Sequence, residues 1–208
     1  YMAGLAKIVH DQYPEVAINL VPGGALANLV RISKDPATFG TTTFHQAVQA
    51  VKGTDDFEGK PPITNLRVLL SIQDTVYFFP IFLPDVPAQS VEDVRTKKLK
   101  LRVATAARGT VTEWTWRKLL EYGGISYKDI EAWGGKVSHT NFSDMVNLMK
   151  DGHIDLILGA GAGKSGWLVD LTNSRTVKFL PLPDAAVERF AKEYGGAAFK
   201  DLPAGSYK

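Results

Sequence analysis

The stretch HIDLILGAGAGKSGWLVDL, residues 153–171, decides how this chain is interpreted. An apolar run of strand character leads into a glycine-rich turn that contains a lysine and a serine, and an amphipathic segment follows. This order resembles a phosphate-binding site, in which a strand delivers a glycine turn to the start of a helix. The alternative is a strand that leaves a sheet through a flexible turn.

A Walker-type phosphate loop does not fit this stretch. That loop needs four residues between its first glycine and the Gly-Lys-Ser/Thr, so that backbone N–H groups curl around the phosphates. Only three residues separate Gly159 from Gly163, and Leu158 stands where the first glycine should be.

The dinucleotide fingerprint fits formally. Its three glycines match Gly161, Gly163 and Gly166, and Asp184 lies near the distance expected for a ribose carboxylate. Against it, the helix after Gly166 would be very short, and prolines interrupt the end of the next strand. A dinucleotide-dependent enzyme built on residues 153–184 therefore stands as an alternative function.

Composition is that of an ordinary globular protein. The chain has 208 residues, of which 45% are apolar and 22% charged, and its 24 basic and 22 acidic side chains leave a net charge of +2. The charges are mixed throughout, so the basic stripe that nucleic acid requires is not visible. The sequence contains no cysteine, which is compatible with both oxidising and reducing compartments, and no window resembles a membrane span.

Strand-like and helix-like patterns alternate along the chain. The predicted strands are residues 16–21, 66–72, 76–83, 99–106, 153–159 and 176–182, and the predicted helices are residues 2–9, 25–32, 44–51, 90–96, 112–122, 144–152 and 183–196. Ser90, Thr110 or Thr112, and Ser143 are the expected caps of three of these helices. The alternation predicts an α/β fold with mostly parallel sheets flanked by helices.

Ligands of parallel α/β sheets lie outside the carboxyl ends of the strands, where glycine and threonine turns occur in this chain. Two sets of such turns, near residues 22–44 and 105–112, predict two lobes that face one another. The loop PDVPAQS, residues 84–90, is the expected crossing between them.

Six segments carry a family resemblance. They are YMAGLAKIV, VPGGALANLVRI, FGTTT, SVEDVRTKKLKLRVATAARGTVTE, DMVNLMKDGHIDLIL and LPAGSYK, in that order. Together they resemble the TAXI-type solute-binding proteins of TRAP transporters, and the likeness covers nearly the whole chain.

The resemblance implies a two-lobed, periplasmic-binding-protein-like fold of type II. Residues 1–84 would form lobe I without its first strand, residues 85–195 lobe II, and residues 196–208 the start of the crossover back to lobe I. Both ends are expected to be cut from a longer protein, in which a signal peptide would precede residue 1.

The resemblance also implies a function. The protein would capture a small organic anion or an amino acid, typically a carboxylate such as glutamate or a 2-oxo acid, by closure of its lobes. It would then deliver the ligand to a sodium-driven membrane transporter. The protein is expected to be a monomer without cofactor or metal, periplasmic or extracellular, and tethered to the membrane in some forms.

The residues that the resemblance assigns to ligand binding lie in two sets. The first-lobe set is Tyr1, Gly23, Gly24, Ala25, Asn28, Thr41, Thr42 and Thr43, and the second-lobe set is Ala107, Arg108, Gly109 and Thr110. The second set departs from the family's usual Gly-Ser-Gly-Thr, which leaves the ligand's identity open. Arg108 either offers a bidentate fork to a carboxylate or is a solvated surface arginine.

Catalysis has no support in the sequence. The four histidines, at positions 10, 45, 139 and 153, are scattered without metal-ligand spacing, and no serine lies in a nucleophile elbow. Trp114, Trp116 and Trp133 belong either to a cleft wall or to the core. A third function, the sensing domain of a regulator with the same fold, stays open because fold does not determine function.

Overall fold

The computed structural model describes residues 2–21, 23–71, 76–194 and 207. The chain divides into two compact units, residues 1–70 and residues 71–208. The predicted boundary between lobes, at residues 84 and 85, is not the boundary between these units. The assignment of residues to lobes stays a prediction.

Unit 1 is helical in its described part. It contains α1 (Met2–Gln12), α2 (Ala25–Lys34), α3 (Phe44–Lys52) and a short 3-10 helix (Asp55–Phe57). Its small core consists of Leu29, Ala50 and Phe57, with other apolar side chains packed around them. The three helices lie where hydrophobic periodicity predicts them.

The strands predicted at residues 16–21 and 66–72 are wrong for the described residues of these segments. Residues 16–21 and 66–71 are not assigned to any strand, and Val68 and Leu69 are 85% and 83% exposed. Their apolar composition suits a strand, but a strand also needs a neighbour to bond its backbone N–H and C=O groups. The described part of unit 1 contains no paired strand that could be that neighbour.

Unit 2 is built on a five-stranded mixed sheet. Its strands are β1 (Tyr77–Phe82), β2 (Arg102–Ala106), β3 (Lys136–Thr140), β4 (Leu156–Gly161) and β5 (Lys178–Phe179), in the spatial order β3-β2-β4-β1-β5. Strand β2 pairs in parallel with β3 and β4, whereas β1 pairs antiparallel with β4 and β5. Four strands therefore run in one direction and only β1 is reversed.

Helices flank this sheet, which confirms the α/β class. They are α4 (Glu92–Thr96), α5 (Val111–Tyr122), α6 (Tyr127–Ala132), α7 (Phe142–Lys150), α8 (Gly166–Ser174) and α9 (Asp184–Tyr194). Strand β3 and helix α6 were not predicted. The strand lies at an edge of the sheet and carries polar residues, as edge strands often do, and the helix has only six residues.

One expected cap is present in unit 2: Thr110 is the N-cap of α5, and its hydroxyl accepts from the Glu113 N–H at 3.3 Å. The expected cap of α4 is wrong, since Val91 is its N-cap residue, although the Ser90 hydroxyl one position earlier accepts from the Asp93 N–H at 3.4 Å. The expected cap of α7 is wrong: Asn141 accepts from the Asp144 N–H at 2.9 Å, in place of Ser143. Helix α7 begins two residues earlier than predicted because asparagine is a strong N-cap.

Tryptophans of α5 belong to the core. Trp114 and Trp116 are 1% and 0% exposed, which confirms the core interpretation for both. The Trp116 indole N–H donates to the Gly159 carbonyl at 2.9 Å, so α5 is attached to β4 by a buried hydrogen bond. Trp133 is partly buried and packs against the same core.

Gly135 provides a test of the packing between α6 and β3. A Cβ at this position would meet the Leu101 carbonyl oxygen and lie 2.8 Å from the Ile130 carbonyl oxygen. Because both obstacles are backbone atoms, we expect Gly135→Ala to lower the free energy of unfolding by about 1–3 kcal/mol or more, as overpacking does. Urea unfolding followed by circular dichroism measures the change.

Gly166→Ala is the matched control for Gly135→Ala. No atom lies within 4 Å of a Cβ built on Gly166, and the residue begins α8, where alanine is favoured. Equal stability of the two variants would contradict the packing described here.

Candidate functional site

The first candidate half-site lies at the start of α2. Gly24 is the N-cap residue and provides no side-chain cap, and the first bond within the helix runs from the Asn28 N–H to the Gly24 carbonyl at 3.0 Å. The N–H groups of Ala25 and its two successors therefore have no acceptor within the helix. Such groups carry a partial positive charge and suit an anionic or carbonyl oxygen.

Asn28 connects three segments of this half-site. Its Nδ2 donates to the Thr41 carbonyl at 2.8 Å. A Cβ on Gly23 would lie 2.7 Å from Asn28 Oδ1, and a Cβ on Gly40 would lie 3.3 Å from Asn28 Cβ. The structure thus brings together Gly23, Asn28 and Thr41, which the resemblance had assigned separately.

The threonine run leads directly into α3. Thr41 and Thr42 are exposed, and Thr43 is the N-cap residue, whose hydroxyl accepts from the Gln46 N–H at 3.5 Å. Two further positions cannot be placed in this half-site: Tyr1, a predicted ligand residue, and Pro22, in the predicted turn, lie outside the described residues.

His45 adds no positive charge to this half-site near pH 7. Burial lowers the pKa of its imidazole from the ordinary value of about 6.5. The first turn of α3 also contains no acidic residue. A guanidinium does lie beside the glycine turn, since a Cβ on Gly23 would be 3.0 Å from the Arg31 Nη1.

A depression on the surface of unit 1 does not coincide with this half-site. It is lined mainly by apolar side chains of α2 and of the 3-10 helix, among them Leu26, Val30 and Phe57. None of the predicted ligand residues that the structure describes lines it.

The second candidate half-site is the turn that joins β2 to α5. The Thr110 N–H and hydroxyl both donate to the Ala107 carbonyl, at 3.2 and 2.7 Å. Gly109 has φ of 81°, which an L side chain rarely adopts, so the turn requires glycine at this position. Arg108 lies at the tip of the turn and is exposed.

Polar side chains lie next to this turn, at the start of α5 and on neighbouring elements. Glu113 is 3% exposed, its carboxylate lies 3.4 Å from the Arg117 Nε, and its carbonyl accepts from the Tyr127 hydroxyl at 3.5 Å. Burial, and next the charge of Glu113, raise the pKa of Tyr127, so this phenol stays neutral. His139 completes the group, with its Nδ1 3.2 Å from the Ala106 carbonyl oxygen.

This arrangement differs from the start of α2, whose first turn contains no acidic residue. The Glu113 carboxylate lies in the first turn of α5 and offsets part of the positive end of that helix. In unit 2, the candidate donors are therefore backbone N–H groups and the exposed Arg108 guanidinium, and the nearby helix start carries a buried carboxylate.

Packing accounts for two glycines of the opening stretch. A Cβ on Gly159 would lie 2.7 Å from the Trp167 ring, and a Cβ on Gly161 would meet the Ser165 hydroxyl and lie 3.2 Å from the Trp167 Nε1. The indole of Trp167 therefore occupies the space that side chains at these positions would need. Lys164 is exposed.

The other parts of the dinucleotide fingerprint also have structural roles. The Tyr207 hydroxyl donates to the Gly163 carbonyl, and the Tyr207 ring stacks on Phe179. Asp184, the expected ribose partner, is an exposed residue in the first turn of α9. These packing contacts account for Gly161 and Gly163 of the fingerprint, and none of the contacts involves a cofactor.

The described residues contain neither a candidate metal centre nor a candidate membrane span. No group of three or more His, Asp or Glu side chains there is arranged to hold a metal ion. No helix in the same residues combines the length and the apolar character that crossing a membrane requires.

Sequence reasoning missed two buried side chains next to the threonine run. Gln46 and Gln49 of α3 are 0% and 3% exposed. A signal for the first was available, because Thr43-Phe44-His45-Gln46 matches the capping-box pattern. No local signal marks Gln49, whose burial depends on the packing of the whole unit.

Comparison with known proteins gives a family and several similar structures. The sequence pattern of the NMT1-like family matches residues 1–208. Among solved structures, the periplasmic aliphatic sulphonate-binding protein SsuA from Escherichia coli is 14% identical, with a TM-score of 0.46 over 92% of this chain and 58% of that chain. The chain thus spans less than two thirds of the length of SsuA.

Two further structures are similar to the same degree. The glycine betaine/L-proline-binding protein ProX from Borrelia burgdorferi is 18% identical, with a TM-score of 0.46 over 80% of this chain and 68% of that chain. An ABC transporter structure from Clostridium perfringens is 15% identical, with a TM-score of 0.44 over 85% and 67% of the two chains.

Asn28→Ala tests the connection within the first half-site. The change removes the bond to the Thr41 carbonyl, so we expect the free energy of unfolding to fall by about 1 kcal/mol. We also expect faster hydrogen exchange at the amides of residues 41–43. Mass spectrometry of exchanged peptides measures the second effect.

Asn19→Ala is the control for Asn28→Ala, since Asn19 is an exposed asparagine of the same unit. Hydrogen exchange at the amides of residues 41–43 should be faster only in Asn28→Ala. If it occurs at the wild-type rate in both variants, Asn28 does not hold the threonine run against the start of α2.

Proposed function

We propose that this chain, which belongs to the NMT1-like family, is an extracytoplasmic solute-binding protein. Its ligand is a small organic anion or an amino acid, held through a carboxylate and released unchanged. The ligand is captured when two lobes of a type II binding-protein fold close on it. The protein acts as a monomer.

The observation that carries this proposal is the convergence of three segments at Asn28. The side chain bonds the Thr41 carbonyl at 2.8 Å and fills the space beside Gly23 and Gly40. A glycine turn at a helix start and a threonine run are thereby held next to each other. Rigid donors of this kind bind an anion well because they need no reordering when the ligand arrives.

Carboxylate chemistry suits each candidate half-site considered alone. In unit 1, the open N–H groups at the start of α2 and the hydroxyls of Thr41 and Thr42 are neutral donors. In unit 2, the Arg108 guanidinium is exposed and can form two parallel hydrogen bonds to a carboxylate.

A calorimetric panel tests ligand binding. We expect the folded protein to bind at least one dicarboxylate, 2-oxo acid or amino acid with a Kd of about 1 μM or tighter, equivalent to about −8 kcal/mol. Arg108→Ala should weaken that binding at least tenfold. Arg95→Ala, which changes an exposed arginine of α4, should leave it unchanged.

The absence of heat from every panel member, with folding confirmed, would contradict the proposal. The alternative enzyme built on residues 153–184 makes a different prediction: NADH would quench tryptophan fluorescence, and Gly163→Val would abolish the quenching.

The finer part of the proposal concerns the partner. We propose that the ligand is handed to a sodium-driven TRAP transporter, with the protein in the periplasm or tethered to the outer surface of the cell. The support is the resemblance to TAXI-type proteins, carried by the Gly23–Asn28 turn, by residues 144–158 and by residues 202–208.

Uptake into proteoliposomes tests the partner. With TRAP-type membrane subunits reconstituted in the vesicles, we expect ligand uptake that requires this protein and an inward sodium gradient. Uptake driven by ATP without sodium would contradict the TRAP assignment and leave solute binding intact.

A further inference from the structure

Helix α3 buries two glutamine side chains whose amides are incompletely bonded. Gln46 and Gln49 are 0% and 3% exposed, although glutamine is usually a surface residue. Among the described residues, the Gln46 Nε2 and both amide atoms of Gln49 have no hydrogen-bond partner. A buried amide without partners destabilises a folded protein, so three such atoms in one helix call for an explanation.

The position of Gln46 determines which group it offers. It is the third residue of α3, and its Oε1 lies 3.4 Å from the Thr43 hydroxyl, which can donate to it. The oxygen is then occupied and the amide nitrogen retains its two N–H groups. What is missing beside Gln46 is therefore an acceptor.

Gln49 lies one turn further along the same face of α3, at a spacing of three residues. Its Oε1 lacks a donor and its Nε2 lacks an acceptor. A group that satisfies both must donate and accept hydrogen bonds. A hydroxyl or a carboxamide does so, whereas a carboxylate only accepts and an ammonium only donates.

The surroundings favour an acidic ligand over a basic one. The glutamines lie just after Thr41 and Thr42, which Asn28 attaches to the Gly23 turn. The positive end of α3 is nearby, and no acidic residue lies in its first turn. Burial lowers the pKa of His45, so this neighbour is neutral near pH 7.

We propose that Gln46 and Gln49 form a ligand subsite in unit 1 for a carboxylate that also carries a neutral hydroxyl or carboxamide group. The inference rests on the proposed function and narrows its ligand class. The carboxylate accepts from the Gln46 amide, and the neutral group bonds both atoms of the Gln49 amide. The amides are shielded from solvent, so the ligand reaches them when side chains around α3 move apart.

Matched ligands test the narrower class. Succinate is the reference, L-malate adds one hydroxyl, and succinamate replaces one carboxylate with a carboxamide. We expect calorimetry on the intact protein to give at least tenfold tighter binding for malate or succinamate than for succinate, and the two arms show which neutral group is preferred.

The subsite is overturned if succinate binds as tightly as both L-malate and succinamate. It is also overturned if none of these three compounds binds. If another member of the wider panel still binds, solute binding stands and only this inference falls. If no compound binds the folded protein, both fall.

Variants test the two side chains directly. Gln46→Met and Gln49→Met keep the length of the side chain and remove the amide, and we expect each to lose at least tenfold in affinity for the preferred ligand without a fall in melting temperature. Gln12→Met, at an exposed position of α1, is the control and should bind like the wild type.

Wild-type affinity in both methionine variants, with a shifted melting temperature, would mean that the amides hold only buried water, and would overturn the proposal. A second readout does not depend on the variants. The side-chain NH₂ resonances of Gln46 and Gln49 should shift when the preferred ligand is added to the wild type, and unchanged resonances at saturation would also overturn the proposal.

Discussion

The structure of unit 2 depends on the backbone of Gly159 being accessible to two tryptophans. The Trp116 indole donates to its carbonyl at 2.9 Å, and the Trp167 ring occupies the space where a Cβ would be. The first contact attaches α5 to β4, and the second packs α8 against the same strand. Because α5 cannot shift along the sheet, its first turn stays at the end of β2, where the Arg108 turn is formed. The glycines of this stretch serve packing, and the site depends on them indirectly.

Each unit presents donors at the start of a helix, and the two helix starts differ in one acidic residue. In unit 1, the first turn of α2 contains no acidic residue, and Asn28 bonds the Thr41 carbonyl. In unit 2, the turn before α5 carries the exposed Arg108, and the first turn of α5 carries the buried Glu113. Buried charges are costly unless they are paired, and Arg117 is the partner of Glu113.

Sequence patterns predicted several helices from local signals. Helix α3 begins at Phe44 as predicted and ends at Lys52, because its periodicity and its threonine cap lie within ten residues of each other. The pattern failed at residues 66–71, where an apolar run alone suggested a strand. Strand pairing depends on a neighbour that a local window cannot include. The edge strand β3 was missed because its residues are mostly polar and give no apolar strand pattern. The strand forms because its backbone pairs with β2.

The sequence by itself determined the α/β class, the family resemblance and the turns that carry the candidate ligand residues. These properties depend on residue order, on glycine and threonine at given positions, and on periodicities of two and 3.6, all of which are short-range. Only the tertiary structure decided that Gly159 makes room for tryptophans, that Asn28 reaches the Thr41 carbonyl 13 residues away, and that Gln46 and Gln49 are buried. Burial and contact between distant residues arise when elements pack, and no local pattern specifies which side chains will meet.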